Sequence, residues 1–166
     1  IIIGANGSGK SKLGAWIEQQ DMEKVHRIGA QRSLNFGDFI ELKSREQAEN
    51  SLLYGVDNIE NNNSYRKKLV RWDYGEFTTR LLNDYKDVLS LMIAIKNQTQ
   101  DKYIKECKEK DDKGQQHDKV PDTVIDKLIR IWNNIFPHRE IDFTDAKVTT
   151  KLKDEEGNVI FSYKGK

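Results

Sequence analysis

Eight consecutive residues near the start of the chain have the types and spacing needed to bind phosphate. Residues 4–11 read Gly-Ala-Asn-Gly-Ser-Gly-Lys-Ser and match the pattern G-x-x-x-x-G-K-S/T at every position. Glycines allow the backbone to take positive φ values and to wrap closely around an anion, and consecutive backbone N–H groups then point inward at it. We therefore predict that one continuous segment binds the phosphates of a nucleotide: Gly4, Ala5, Asn6, Gly7, Ser8, Gly9, Lys10 and Ser11.

Two side chains at the end of this loop supply a charge and a metal ligand. The ammonium group of Lys10 suits the β- and γ-phosphates, and the hydroxyl group of Ser11 suits Mg²⁺. A helix that begins near Lys10 would add the positive end of its dipole to the same anion. The pattern therefore predicts a site for a nucleoside triphosphate together with Mg²⁺.

The elements on either side of the loop support this interpretation, because a chance glycine turn would not need them. Ile1–Ile3 is wholly apolar, as expected of a strand that is buried on both faces. From Ser11 to Gln20, apolar residues recur at helical spacing, which predicts a helix directly after the loop: Leu13, Trp16 and Ile17. Val25–Gly29 has the pattern of a second short strand. Residues 1–38 are therefore predicted to be an α/β segment.

The middle of the chain, residues 39–138, is predicted to be largely helical. One helix is expected over Phe39–Tyr54. Apolar residues three or four apart predict a long helix over Glu76–Lys110, and a last helix is expected from Pro121 to just before Pro137.

The last part of the chain, residues 139–166, is predicted to return to β structure. Two short runs alternate apolar and polar residues around a turn at residues 154–158, which is typical of a β-hairpin. The apolar positions of these runs are Val148 and Leu152 before the turn, and Val159, Phe161 and Tyr163 after it. The predicted fold class is thus α/β: a partial P-loop nucleoside-triphosphatase core with a largely helical insertion and a C-terminal β-hairpin.

Composition limits the function further. The chain has 166 residues, with 28 Lys and Arg against 27 Asp and Glu, so a site for a polyanion would have to be local. No apolar run approaches the roughly 18 residues that cross a bilayer, which excludes a membrane span. A single cysteine, Cys107, excludes an intrachain disulfide bond and fits the reducing cytoplasm. Because the chain begins at Ile1 without Met and stops abruptly at Lys166, we expect it to be part of a longer protein.

The interior of the loop, Asn-Gly-Ser-Gly-Lys-Ser over residues 6–11, resembles the form found in ABC-type ATPases, including the chromosome-maintenance, RecF-like and bacterial defence branches. The resemblance implies that the chain binds ATP and hydrolyses it with Mg²⁺ when a second ATPase subunit associates, in a homodimer that works in nucleic-acid maintenance or defence. It also implies that Lys12 lies near the α-phosphate. Residues 39–138 would be the helical insertion of such a core, and residues 139–166 the β segment that leads towards its signature sequence.

Other parts of that family's catalytic assembly are harder to find. Gln31 is the candidate for the Gln-loop residue, because it follows a predicted strand near the loop, although a surface glutamine in a turn is the alternative. The sequence contains no apolar strand ending in Asp-Glu and no signature sequence, so no catalytic residue is assigned. We expect both motifs after Lys166, and without them the chain should bind nucleotide weakly and hydrolyse little.

Two other functions stay open. A small P-loop kinase would transfer the γ-phosphate to a metabolite, but neither an acceptor-binding acid nor an arginine-bearing lid is recognisable. A non-hydrolysing, nucleotide-gated interaction module would use ATP to switch the partner of the helical segment. Nucleic-acid contact is weakly supported by two basic clusters, Tyr65–Trp72 and Lys147–Lys153, for which a solvated surface is the plainer explanation. His26 is expected to be structural rather than a zinc ligand.

Overall fold

The computed structural model describes residues 5–28, 39–59 and 68–164, and within these residues the chain forms four helices and three strands. In chain order they are α1 (Lys10–Gln20), α2 (Arg45–Tyr54), α3 (Tyr85–Asp111), α4 (Val124–Ile135), β1 (Arg139–Asp142), β2 (Thr149–Lys153) and β3 (Val159–Lys164). The described residues group into two compact units. The first unit draws on Ile1–Asn35 and Glu46–Asp87, and the second on Phe36–Arg45 and Val88–Lys166. The predicted insertion over 39–138 is divided between the two units, and its role as an insertion stays a prediction.

The helix predicted from Pro121 begins slightly later, at Val124, because Thr123 caps it. The hydroxyl oxygen of Thr123 accepts a hydrogen bond from the backbone N–H of Asp126 at 3.3 Å. In return, the carboxylate of Asp126 accepts from the backbone N–H of Thr123 at 2.8 Å. This capping box satisfies donors that have no partner inside the helix. The helix ends before Pro137, as predicted.

The helix predicted over Phe39–Tyr54 is confirmed only in its second half, because α2 begins at Arg45. Residues 39–44 are not helical. The backbone N–H of Ile40 donates to the carbonyl of Ala146 at 2.7 Å. The N–H of Ile40 is thus paired with a residue distant in the sequence, and not with a helical partner as the periodicity predicts.

The long helix predicted over Glu76–Lys110 begins nine residues late, at Tyr85, and the residues before it form turns. Leu81 and Tyr85 are four residues apart, so the periodicity places Leu81 on the apolar face of the predicted helix, yet Leu81 is 50% exposed, whereas its neighbour Leu82 is buried. Burial of Leu82 breaks the helical period on which the prediction relied. No helix in the described part of the chain, α3 included, has both the length and the apolar character to span a membrane.

The strand predicted at Val25–Gly29 is not formed by its described residues. The carbonyl of Val25 accepts a hydrogen bond from Nζ of Lys68 at 2.6 Å, and the backbone N–H of Arg27 donates to the carboxylate of Glu18 at 3.4 Å. Charged side chains therefore satisfy backbone groups that a neighbouring strand would otherwise satisfy.

The predicted C-terminal hairpin is confirmed, and it belongs to a three-stranded antiparallel sheet of order β1-β2-β3. The register between β2 and β3 is irregular next to Lys153. Sequence periodicity does not predict β1, because its four residues, Arg-Glu-Ile-Asp, include a single apolar one. That residue, Ile141, is buried, and the indole N–H of Trp132 in α4 donates to the carbonyl of Arg139 at 2.7 Å. Contact with α4 therefore helps to form this strand.

Gly55, directly after α2, lies close to another part of the backbone in the first unit. Its φ is +78°, and a Cβ placed on it would lie 2.7 Å from the backbone N of Arg71 and 2.8 Å from its Cα. Since backbone atoms cannot move aside easily, we expect Gly55→Ala to lower the free energy of unfolding by about 2–4 kcal/mol, measured by urea denaturation.

A matched control for this change is Gly157→Ala. Gly157 has a similar φ of +87°, but no atom lies within 4 Å of a Cβ placed on it. The free energy of unfolding of Gly157→Ala should therefore fall by only about 1 kcal/mol, because only backbone strain contributes. Equal losses in the two variants would contradict the close approach at Gly55.

Candidate functional site

Residues 5–9 form a turn that leads directly into α1. The backbone N–H of Ser8 donates to the carbonyl of Ala5 at 3.2 Å. Gly7 and Gly9 have φ values of +82° and +84°. Gly9 is the N-cap residue of α1, and its carbonyl accepts a hydrogen bond from the first turn of the helix at 2.9 Å. Residues with a Cβ would be strained at these two positions, which gives a physical reason for the glycines of the motif.

The loop lies at the protein surface. All the described residues of the motif, from Ala5 to Ser11, are exposed. No atom lies within 4 Å of a Cβ placed at Gly7 or Gly9, so the backbone conformation, and not crowding, requires glycine there. The start of α1, with the positive end of its dipole, is therefore accessible to an anion in solvent.

The ammonium group of Lys10 folds back onto this turn. Its Nζ donates to the carbonyl of Ala5 at 2.7 Å and to the hydroxyl oxygen of Ser8 at 3.4 Å. These two acceptors are neutral, and hydrogen bonds between an ammonium group and a charged acceptor are shorter and stronger. A phosphate oxygen could therefore replace them, so that the lysine would change partners when an anion binds.

The other predicted residues lie partly in α1 and partly outside the described residues. Ser11 and Lys12 are both exposed in the first turn of the helix. The Ser11 hydroxyl is a hard oxygen ligand of the kind that suits nucleotide-bound Mg²⁺. Gly4, Gln31 and the predicted strand Ile1–Ile3 lie outside the described residues. Across the ranges 5–28, 39–59 and 68–164, no three His, Cys, Asp or Glu side chains come together as a metal site.

The apolar face predicted for α1 is not the face that the described structure buries. Leu13, Trp16 and Ile17 are 38%, 58% and 39% exposed, whereas Ala15 and Glu18 are buried. Helical periodicity does not predict the burial of Glu18, because it places this carboxylate on the solvent side of α1. The sequence analysis therefore missed Glu18.

A buried ion cluster connects α1 to other segments of the first unit. The side chain of Glu18 is fully buried, and its carboxylate accepts from Nζ of Lys68 at 3.2 Å and from Nε of Arg27 at 3.3 Å. Lys68 is almost fully buried as well. The helix that follows the predicted phosphate loop is thus held by two cations, one nine residues from Glu18 and the other fifty residues from it.

A second ion pair lies in the same unit. Nη2 of Arg71 lies 3.1 Å from Oδ2 of Asp84, and Nε of Arg71 donates to the carbonyl of Leu52 at 3.1 Å. The guanidinium carbons of Arg27 and Arg71 lie 4.0 Å and 5.0 Å from the ring centroid of Trp72, which is buried. Such cation–π contacts offset part of the cost of burying a guanidinium group. The interior of this unit is therefore held by charged and aromatic groups together.

Burial shifts the pKa values of three basic groups in this unit, two of them buried and the third partly exposed. It lowers the pKa of Lys68 and of Arg71, while the charge of Glu18 opposes the shift at the lysine and that of Asp84 opposes it at the arginine. Burial, together with the charges of Arg71 and Lys68, lowers the pKa of His26 to about 4. Nε2 of this histidine lies 3.4 Å from Nη2 of Arg71, which can only donate, so the ring nitrogen is an unprotonated acceptor. This contact fits a structural role for His26, which stays a prediction.

The shifted pKa of His26 predicts a loss of stability in acid. Its folded pKa of about 4 lies below the unfolded value of 6.5, so between these pH values the unfolded chain binds a proton that the folded chain does not. The free energy of unfolding should therefore fall as the pH falls from 6.5 to 4. In His26→Gln, this fall in the free energy of unfolding between pH 6.5 and pH 4 should be smaller by on the order of 1 kcal/mol, a value that allows for the solvent around the ring. Urea denaturation of both proteins at several pH values measures it, and parallel pH profiles would contradict the prediction.

The described part of the basic cluster at Tyr65–Trp72 does not form the surface that the sequence suggested, and Tyr65, Arg66 and Lys67 lie outside the described residues. Its described members are Lys68, Arg71 and Trp72, and all three side chains are buried and occupied with internal partners. Neither a solvated helix face nor a polyanion-binding surface describes these three residues. The signal that could have identified them is their mixture with an aromatic residue, which is as typical of buried cation–π pairs as of nucleic-acid contact.

A concave region of about 380 Å³ lies in the second unit. Its walls are mostly apolar, and they come from α3, α4 and two loops: Leu42, Ile93, Ile125, Phe143 and Ala146. Its charged groups are Lys96 and Asp145, and the charge of Lys96 also acts on Asp126. Charges of both signs at this region do not favour one class of ligand, and the sequence analysis did not predict it.

Comparison of the chain with known protein families, with curated proteins and with solved structures finds no match. A function must therefore be inferred from the chain's own residues. The sequence pattern is complete over residues 4–11, and its described part, Ala5 to Ser11, combines positive-φ glycines, an exposed helix start and a lysine beside the turn.

Proposed function

We propose that this chain binds ATP through the loop at residues 4–11 and belongs to an ABC-type ATPase core. The observation that carries the proposal is the loop itself, in which Gly7 and Gly9 take positive φ values directly before α1 while Lys10 reaches back across the turn. The further proposals rest on the resemblance of the loop sequence: a cytoplasmic enzyme that hydrolyses ATP when two copies associate, in nucleic-acid maintenance or in defence.

Binding follows from the groups that the loop presents. The backbone N–H groups of the loop and of the first turn of α1 would surround the β-phosphate, because N–H groups at the start of a helix have no acceptor inside that helix. Lys10 would exchange the carbonyl of Ala5 for oxygens of the β- and γ-phosphates. The hydroxyl of Ser11 would hold Mg²⁺, and Lys12 would lie near the α-phosphate. When bound, Mg²⁺ neutralises charge on the phosphates.

The proposal is tested by titrating the chain with ATP in the presence of Mg²⁺ and following the heat of binding. Saturable ATP binding is expected, with AMP as the control, because AMP lacks the phosphates that the loop and Lys10 would contact. Release of phosphate should be slow, since no catalytic acid is recognised in the sequence. Absence of saturable binding at up to about 5 mM ATP, where a dissociation constant of ~1 mM would still be visible, would refute the proposal.

A further inference from the structure

The predicted phosphate loop contains a dipeptide that is prone to a chemical change without any enzyme. Asn6 is followed by Gly7, and this is the one Asn-Gly sequence in the chain. The side-chain amide of an asparagine lies close to the backbone nitrogen of the next residue, which can attack it. A glycine at that position has no Cβ to hinder the approach, and its backbone adopts the required geometry readily. The dipeptide is therefore a candidate for loss of the asparagine amide.

The structure leaves both residues of this dipeptide open to reaction. Asn6 and Gly7 are exposed in the turn before α1, and Gly7 has a φ of +82°. No atom lies within 4 Å of a Cβ placed on Gly7. Among the described residues, neither the side chain of Asn6 nor the backbone N–H of Gly7 forms a hydrogen bond. No such partner therefore holds the amide and the attacking nitrogen apart.

A second asparagine of the same unit has the opposite environment. Asn50 precedes Ser51 within α2, and these residues are 8% and 6% exposed. Nδ2 of Asn50 donates a hydrogen bond to the carbonyl of Asp57 at 3.3 Å. Because the helical backbone and this hydrogen bond hold the side-chain amide in place, α2 must open locally before Asn50 can react. The fold thus protects Asn50 and leaves Asn6 unprotected.

We propose that Asn6 is a site of spontaneous deamidation and that ATP bound in the loop protects it, the second part resting on the proposed function. The backbone nitrogen of Gly7 loses its proton to a base in solvent and attacks Cγ of Asn6. The Cγ–Nδ2 bond then breaks, and Nδ2 takes up a proton and leaves as ammonia. Water opens the resulting cyclic imide at either of its carbonyl carbons. The product is an aspartate or an isoaspartate, with no change of oxidation state.

This product changes the loop where a phosphate would lie. Both forms replace a neutral amide with a carboxylate, and the isoaspartate also adds a carbon to the backbone. A carboxylate beside the N–H groups of the loop would repel the phosphates of ATP and compete for the same donors. ATP would protect Asn6 in turn, because a phosphate oxygen that accepts from the N–H of Gly7 holds that nitrogen away from Cγ. Deamidation would therefore be an irreversible loss of ATP binding in chains that hold no nucleotide.

The test of the first part is peptide mass spectrometry of the full chain, kept without nucleotide in mildly alkaline buffer. Conversion replaces NH by O, and its rate is compared between the folded chain and the chain unfolded in guanidinium chloride. For Asn6 the two rates should agree within about threefold, because the folded loop is already exposed. For Asn50 the folded rate should be at least about tenfold lower, since α2 must open first.

Two outcomes of this comparison would overturn the proposal. One is a rate at Asn6 that is about tenfold or more lower in the folded chain than in the unfolded chain, because the loop would then protect the amide. The other is an equal ratio of folded to unfolded rates at Asn6 and Asn50, because the fold would then give no selectivity.

Titration calorimetry of the aged chain tests the link to ATP. The number of ATP sites per chain should fall in proportion to the converted fraction of Asn6. Mg²⁺ and ATP present during the incubation should slow conversion at Asn6 at least about threefold, whereas AMP should not. Asn6→Gln should keep the number of sites with which it starts, because the longer side chain closes a ring less readily. Deamidated chains that bind ATP as fresh ones do, or conversion that ATP does not slow, would overturn the second part.

This inference and the proposed function fail in different ways. If Asn6 converts in the folded chain but the fresh chain binds no ATP, the proposed function and the protection by ATP are both wrong, and the modification site is supported. If the chain binds ATP saturably but Asn6 stays intact in the empty folded chain, the proposed function is supported and the deamidation site is wrong.

Discussion

Lys10→Ala is expected to weaken ATP binding at least about tenfold, because a charge-assisted hydrogen bond to phosphate contributes roughly 1.5–3 kcal/mol. The side chain is exposed, and two of its contacts, with the Ala5 carbonyl and the Ser8 hydroxyl, are local to the loop. Its removal should therefore change the thermal midpoint of unfolding little. Titration calorimetry with ATP and Mg²⁺ measures the affinity, and circular dichroism measures the midpoint.

Lys24→Ala is the matched control for this variant. Lys24 is also an exposed lysine of the first unit, and its ammonium pairs with Asp21 at 3.2 Å, away from the phosphate loop. The two variants carry the same net charge, so a general electrostatic effect on ATP would be equal in both. Wild-type ATP affinity in Lys10→Ala would contradict the phosphate-loop assignment. Equal loss of ATP affinity in both variants would indicate non-specific electrostatic attraction instead of a site at Lys10.

Sequence reasoning succeeded where the signal is local. The start of α1 follows from the glycines and from Lys10, since these residues set their own backbone conformation. The end of α4 follows from Pro137, which cannot continue a helix, and the hairpin follows from alternation around a turn with a glycine. In each of these cases the residues that determine the structure lie within a few positions of it.

Sequence reasoning failed where contacts distant in the sequence decide the structure. The residues around Val25 have the pattern of a strand, but Lys68 satisfies the carbonyl of Val25. β1 has almost no strand signal of its own and is completed by the contact of Trp132 with its backbone. The burial of Glu18 could not be anticipated, because a carboxylate is buried only where partner cations are brought to it by the fold.

Under the proposed function, the predicted phosphate loop and the ion cluster have separate roles at the two ends of one helix. The loop residues at the start of α1 are exposed and are determined by local sequence. Glu18, near the end of α1, is buried and is determined by the fold around it. The first end is suited to binding an anion, and the second holds the helix in place. Substitutions at the two ends should therefore have separable effects.

Glu18→Gln is expected to lower the free energy of unfolding by about 3–5 kcal/mol, because it leaves two cations in the interior without their counter-ion. The carboxylate lies 3.2 Å from Nζ of Lys68 and 3.3 Å from Nε of Arg27, and none of these three side chains is widely exposed. The neutral amide cannot replace the lost charge. Urea denaturation measures the change, and a midpoint close to that of the wild type would contradict the buried cluster.

Two further variants show whether the loss comes from the pair. Asp21→Asn makes the same carboxylate-to-amide change at the end of the same helix, where the pair with Lys24 is exposed, so it should change stability little. Lys68→Met removes the buried cation. The double variant with Glu18→Gln should lose less free energy of unfolding than the sum of the two single losses, by about 1 kcal/mol or more.

Below the temperature at which Glu18→Gln unfolds, its ATP affinity should stay near that of the wild type. Lys10→Ala should instead lose ATP affinity and keep the stability of the wild type. If both variants lost both ATP affinity and stability, the two ends of α1 would not act separately.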